Sequence, residues 1–125
     1  MRLETRPPNL EGEGAISTRD LVRNALRMRP DRLVVGEVRG AEALEMIQAL
    51  NTGHAGSLST CHANGPHDAL DRLVAMAMMS EARLPADLVR AQLHSALDLV
   101  VHLGRGSDGR RTVADIARLD GGGLH

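Results

Sequence analysis

The 125-residue chain contains no phenylalanine, tyrosine or tryptophan, no lysine, and a single cysteine. Without aromatic rings it has no platform on which the bases of a single-stranded nucleic acid could stack. Without lysine it lacks the amine that P-loop sites place on nucleotide phosphates, and all fifteen of its basic side chains other than histidine are arginines. Because Cys61 is alone, a disulfide within the chain is excluded.

The sequence also lacks a long apolar run and a strong charge of either sign. No segment has the length of a membrane-spanning helix or the pattern of a signal peptide, so we expect a reducing, cytoplasmic setting. The formal net charge of −1 provides no basic field, and we therefore expect no nucleic-acid partner. The length allows one domain at most, with a modest core built from aliphatic residues and methionine.

The sequence is organised around residues 31–62, which are predicted to form a strand, a helix and a second strand. Residues 33–35 are a continuous apolar run, typical of a parallel strand buried on both faces. Residues 41–51 carry a helical apolar stripe, and Gly53 follows where a left-handed residue would end the helix. If residues 57–61 form a parallel strand, Glu37 and His62 share the sheet edge at which such sheets bind ligands.

The flanking segments predict an α/β arrangement with a terminal hairpin. Residues 1–16 are rich in proline and glycine and are expected to form a loop or arm. Ser17 and Asp20 resemble a capping box that opens a helix, Pro66 suits the first position of another, and a further helix begins near Pro85. Residues 98–103 and 112–119 are predicted strands around a tight turn. We divide the chain into an arm (1–16), a core (17–103), and a terminal hairpin strand with a flexible tail (104–125).

Several charged side chains are candidates for a site, each beside a structural alternative. Glu37, directly after a buried strand, suits orienting a water molecule or holding Mg²⁺ beside phosphates, although charged residues often end strands. Arg39 could contact phosphate, or pair with Glu37 or Glu42. The first helix carries four arginines that form a solvated face or meet phosphate or a partner's carboxylates: Arg19, Arg23, Arg27 and Arg29.

Three histidines, His54, His62 and His67, lie within fourteen positions of one another. Their spacing around a glycine-rich loop and a proline turn is poor for a zinc site, and the single cysteine completes no ligand set. His62 at a strand end better suits hydrogen bonding to a charged ligand, because imidazole donates to oxyanions and changes charge near neutral pH.

Two longer strings carry a resemblance to a known family. TRPPNLEGEGAISTRDLVRNALRMRPDRLVVGEVRG and ALNTGHAGSLSTCHAN resemble the secretion ATPases of type II and type IV secretion and type IV pilus assembly, with the tight-adherence pilus ATPase as the closest branch. The resemblance implies a RecA-like domain that works with ATP and Mg²⁺ in a ring, usually a hexamer. It also implies a position on the cytoplasmic face of the inner membrane, beside the platform proteins of the apparatus.

The resemblance further implies roles for particular residues. LVVGEVRG would be the Walker B segment, with Glu37 acting on the attacking water or the Mg²⁺ shell and Arg39 following it as in the family. TGHAGSLSTCHAN would be the histidine box, with His62 near the γ-phosphate and His54 in support. Arg23 and Arg29 would contact nucleotide or a neighbouring subunit.

The sequence departs from the family pattern at one essential point. The P-loop, G-x-x-x-x-G-K-[ST], is absent from these 125 residues, and nothing else supplies its lysine and phosphate-binding backbone. We therefore expect the carboxyl-terminal half of a motor domain, inactive alone, with a sheet edge and apolar helix faces exposed where neighbouring strands are missing. The rival expectation is a non-catalytic truncated paralogue that binds or regulates a full-length motor ring.

Overall fold

A computed structural model describes residues 1–120 and 124–125. These residues confirm the predicted α/β fold and contain four helices and four strands. In chain order the elements are α1 (Thr18–Arg27), β1 (Val34–Val35), α2 (Glu42–Asn51), β2 (Leu58–Ser59), α3 (Pro66–Ala77), α4 (Ala86–Ala96), β3 (Leu99–Arg105) and β4 (Arg111–Arg118). Within this described part of the chain, no helix is both long and apolar enough to cross a membrane.

Strands β1 and β2 pair in parallel, with Val34 opposite Leu58, and α2 is the crossover between them. Backbone pairing continues past both strands, because the N–H of Val38 donates to the carbonyl of Thr60 at 2.8 Å. Gly53 follows α2 with a φ of 99°, a left-handed conformation that suits glycine. The two strands therefore end at one edge of the sheet, as the sequence predicts.

Helix α2 is the centre of the core. It lies against α1, α3 and α4, and its buried apolar residues are Ala43, Leu44, Met46, Ile47 and Ala49. From α4, Val89 and Leu93 are completely buried against this cluster. Burial of an aliphatic side chain of this kind stabilises the fold by about 1.5–3 kcal/mol, so α2 organises most of the packing.

The prediction that β1 is buried on both faces is wrong. Val35 lies in the core, whereas Val34 is 68% exposed and its neighbour on β2, Leu58, is 61% exposed. A parallel sheet needs helices on both faces, and the described residues cover one face only. The exposed apolar surface that we expect from the missing strands is thus present on β1 and β2.

Strands β3 and β4 form the predicted antiparallel hairpin, with a register shift between His102 and Leu103. The five large aliphatic side chains that it leaves exposed are Leu99, Val101, Leu103, Val113 and Ile116. Within the predicted flexible tail, the last residue pairs with the end of β4. The backbone of His125 exchanges hydrogen bonds of 2.7 and 2.8 Å with Arg118. Residues 121–123 lie outside the described residues.

A network of ion pairs ties α1 to the rest of the fold. Arg19 contacts the buried Glu45 of α2 at 2.6 Å and Glu81, after α3, at 2.5 Å, and Arg23 contacts the same two carboxylates at 2.9 and 3.5 Å. The hydrogen bond from Arg19 is the main reason why the pKa of Glu81 falls to about 2. The pKa of Arg19 is raised by its hydrogen bonds to Glu81 and Glu45.

The amino-terminal cap of α1 yields a first prediction. The hydroxyl oxygen of Ser17 accepts from the N–H of Asp20 at 3.1 Å, and the Asp20 carboxylate accepts from the N–H of Ser17 at 2.9 Å, which confirms the capping box. We expect Ser17→Ala to lower the free energy of unfolding by about 1 kcal/mol in urea denaturation. Ser95→Ala, on an exposed face of α4, is the control, and equal effects of the two would contradict a specific cap.

The ion-pair network yields a second prediction. Because the pKa of Glu81 is about 2 in the folded chain and near 4.5 ordinarily, its contribution to stability is complete above about pH 4.5 and disappears as the pH falls toward 2. We expect the stability difference between the wild type and Glu81→Gln to shrink over that range in urea titrations. Glu13→Gln, in the exposed arm, is the control. A difference that is constant with pH would contradict the network.

Candidate functional site

The candidate site begins where β1 and β2 end. The hydroxyl of Thr60 donates to the carbonyl of Gly36 at 2.6 Å, beside the backbone bond between Val38 and Thr60. These bonds hold the segment after β1 against the segment after β2. Glu37 and His62 are therefore brought to the same sheet edge, as the parallel arrangement predicts.

Glu37 is the centre of the site. Its Oε1 lies 2.8 Å from Nε2 of His62, and its Oε2 lies 2.6 Å from Nη2 of Arg39. The Glu37 side chain is only 24% exposed, whereas those of His62 and Arg39 are 89% and 77% exposed. The structure thus joins three residues that the sequence identifies as candidates.

This arrangement leaves both signs of charge available to a ligand. The His62 and Arg39 side chains lie mostly in solvent, where ion pairs contribute about 0–1 kcal/mol each, so a ligand can draw either one away from the largely buried Glu37 carboxylate at small cost. A carboxylate released in this way can accept from water or approach a cation, and the imidazole and guanidinium can donate to an anion. The site therefore has the chemistry expected beside a phosphate.

The backbone of the Arg39 segment is held by Glu42, a role that the sequence analysis missed. The buried Oε1 of Glu42 accepts from the N–H groups of Arg39 and Gly40 at 2.7 and 3.1 Å. Both partners proposed for Arg39 therefore contact it. Its side chain pairs with Glu37, and its backbone N–H donates to Glu42. The sequence signal for this contact is an acidic residue, Glu42, three positions after Arg39 at the start of a predicted helix.

Helix α3 supplies a wall of the site that the sequence analysis also missed. Arg72 and Met76 line the same cleft as Glu37, Arg39 and His62, with a volume of about 420 Å³. The Arg72 side chain was overlooked because an Asp–Arg pair four residues apart is common on exposed helices.

Other predicted site residues lie elsewhere. Nδ1 of His54 is 2.9 Å from the carbonyl of Ala49, so this ring contacts the end of α2 before β2 begins, and the structure does not bring it to Glu37. Arg23 pairs with Glu45 and Glu81 in the network on α1. Arg29 follows α1 with an exposed side chain and a φ of 51°. Neither arginine lines the cleft that contains Glu37.

Known proteins are similar to this chain in sequence. The family described as "Type II/IV secretion system protein" matches residues 4–117. A Mycobacterium tuberculosis (strain H37Rv) protein whose name assigns it to conjugal transfer is 45% identical over 119 residues, which are 95% of this chain and 33% of that protein. The type IV secretion system protein PtlH of Bordetella pertussis is 43% identical over 111 residues, covering 86% of this chain and 33% of PtlH.

Solved structures agree with the sequence comparisons. The crystal structure of the VirB11 ATPase of Brucella suis superposes with a TM-score of 0.77 at 33% identity, covering 82% of this chain and 32% of that one. The Legionella pneumophila ATPase DotB superposes with a TM-score of 0.58 at 30% identity, covering 83% of this chain and 28% of DotB. The chain spans about a third of the length of these relatives. It belongs to the type II/IV secretion system protein family.

Proposed function

We propose that this chain is the part of a secretion ATPase that carries the catalytic carboxylate and the phosphate-sensing histidine. The observation that carries the proposal is the contact of Glu37 with His62 at 2.8 Å and with Arg39 at 2.6 Å, at the shared end of two parallel strands. Open parallel sheets bind ligands at this edge. Membership of the type II/IV secretion family supports the assignment.

In the proposed reaction, Glu37 orients the water that attacks the γ-phosphorus of ATP. The water oxygen forms a bond to phosphorus as the bond to the β,γ-bridging oxygen breaks, which yields ADP and phosphate, and the proton of the water leaves toward the carboxylate or a phosphate oxygen. His62 donates to the γ-phosphate, and Arg39 moves from Glu37 to a phosphate oxygen. A partly exposed carboxylate also fits Mg²⁺, which is bound through one or two carboxylates and phosphates and neutralises developing charge.

Turnover requires groups that these 125 residues do not contain. A P-loop must be supplied by a further polypeptide segment, because this sequence has no lysine and no glycine-rich phosphate loop. We propose that the complete site lies in a RecA-like ring, usually a hexamer, at the cytoplasmic face of the inner membrane beside the platform proteins. Arg23 and Arg29 would face a neighbouring subunit or nucleotide there, and His54 would support the histidine box.

The process that the ATPase powers can be proposed at two levels of detail. The similar proteins are named for conjugal transfer and type IV secretion, which supports an ATPase of that class. Powering the assembly of a tight-adherence pilus is the narrower form of the proposal, and these names do not support it. The Brucella suis structure is a complex with sulphate, a tetrahedral anion like phosphate, which is consistent with an oxyanion ligand.

The rival proposal is a non-catalytic module that binds or regulates a full-length motor. The apolar surface on Val34, Leu58 and the outer face of the hairpin would suit either role, because both need contact with other parts of a motor. The two proposals differ in what Glu37 does. Only a catalytic role requires its carboxylate to be ionised and correctly placed.

Replacing Glu37 tests the catalytic role. We propose a chimaera in which this chain replaces the matching third of the Brucella suis VirB11 ATPase, so that the P-loop comes from the relative. We expect Glu37→Gln to lower kcat for ATP by about a hundredfold or more while the chimaera stays folded, since the amide cannot accept a proton or carry charge. Glu13→Gln is the matched control. An unchanged kcat for Glu37→Gln would support the non-catalytic rival instead.

Replacing His62 tests the phosphate-sensing role. In the same chimaera, we expect His62→Ala to lower kcat by about tenfold to a thousandfold, the range seen when one positioned donor is removed from a transition state. His67→Ala, an exposed histidine at the second position of α3, is the control for the loss of a nearby histidine. If His62→Ala and His67→Ala have the same small effect, His62 has no part in the reaction.

A further inference from the structure

The cleft beside Glu37 contains a third basic side chain, Arg72, whose partner Asp68 makes a second contact. Arg72 lines this cleft with Glu37, Arg39 and His62, although it comes from α3. Its Nε donates to the carboxylate of Asp68 at 2.9 Å. The same Asp68 oxygen accepts from the N–H of Asn64 at 2.8 Å. One carboxylate therefore fixes both Arg72 and the segment that follows His62.

The charged form of the Asp68 carboxylate is stabilised by its hydrogen bonds. Its pKa is lowered by hydrogen bonds from the Asn64 backbone and then from the Arg72 side chain. Because Nε of Arg72 is used by this contact, the guanidinium is held in one orientation on the helix. Within the described residues, the two terminal nitrogens of Arg72 have no polar partner.

The exposed polar groups that remain available to a ligand in the cleft are donors. Oε2 of Glu37 contacts Arg39, Oε1 lies 2.8 Å from His62 but is buried and accepts no hydrogen bond from the described residues, and Asp68 is engaged as described above. The terminal nitrogens of Arg72 are left to donate. A ligand that completes the cleft must bring acceptors, and a phosphate group offers several oxygens in a geometry that a guanidinium binds in a bidentate way.

We infer that Arg72 is a further phosphate-binding residue of this site and that Asp68 positions it. The inference rests on the proposed function, because it places Arg72 on the phosphates of the nucleotide that Glu37 and His62 serve. By holding Asn64 and Arg72 together, Asp68 links the orientation of this guanidinium to the position of the histidine loop. A phosphate that moves the Arg72 guanidinium would therefore also move the segment that carries His62, because Asp68 contacts both.

Phosphate titration of the full 125-residue chain tests binding directly. The probe is inorganic phosphate, followed by the Nε–H resonances of the arginines in ¹H–¹⁵N NMR, with chloride at matched ionic strength as reference. We expect the Arg72 resonance, identified by its loss in Arg72→Lys, to shift saturably. Arg90 is the matched control because it forms a similar exposed pair with Asp71 at 2.7 Å on another helix. An Arg72 shift no larger than that of Arg90, or equal in chloride, would overturn the inference.

Kinetics in the chimaera separate this inference from the proposed function. We expect Arg72→Ala to lower kcat by about tenfold to a hundredfold, with partial recovery in Arg72→Lys, and Arg90→Ala to leave kcat unchanged. Asp68→Asn should raise KM more than it lowers kcat, because it misplaces Arg72 without removing it. If Glu37→Gln lowers kcat as expected and Arg72→Ala leaves kcat unchanged, the inference fails and the proposed function stands. If Glu37→Gln has no effect, the proposed function fails, whatever the phosphate titration shows.

Discussion

The parallel pairing of β1 and β2 is the constraint on which the rest of the structure depends. It is short, with two residues from each strand, yet the backbone bond from Val38 to Thr60 carries it to the edge where the site lies. Parallel strands need a crossover, and α2 provides it while filling the core from the same side. One element thus sets both the direction of the strands and the packing beneath them.

The pairing of β1 and β2 sets the positions of the site's segments, and supporting carboxylates hold its arginines in place. Glu42 holds the backbone of Arg39, and Asp68 holds both Arg72 and the turn that follows His62. These supporting carboxylates lie at the beginnings of α2 and α3, where negative charge is favoured by the helix dipole. The side chains that face the cleft are thereby carried on one helix, α3, and on the segments that follow two strands.

Much of this arrangement could be predicted from the sequence because it depends on local periodicity. Apolar spacing, the Ser17 cap and the position of Pro66 each specify a helix, and parallel strands place Glu37 beside His62. Burial of Val34 could not be judged in this way, since an apolar run does not say what covers it. The resemblance places His54 in the same histidine box as His62, but the His54 ring contacts the end of α2, which precedes β2 in the chain. Arg72 was missed because its pairing pattern is that of an ordinary surface helix.

The triangle of Glu37, His62 and Arg39 has a consequence for how electrolytes affect this site. The carboxylate already lies beside two groups of its own chain, and under the proposed function a phosphate would exchange these internal contacts for contacts with itself. Sites that bind phosphate with free cations lose affinity steeply as salt concentration rises. Salt weakens ion pairs on both sides of such an exchange, so under the proposed function we expect affinity at this triangle to vary little between dilute buffer and the ionic strength of a cell.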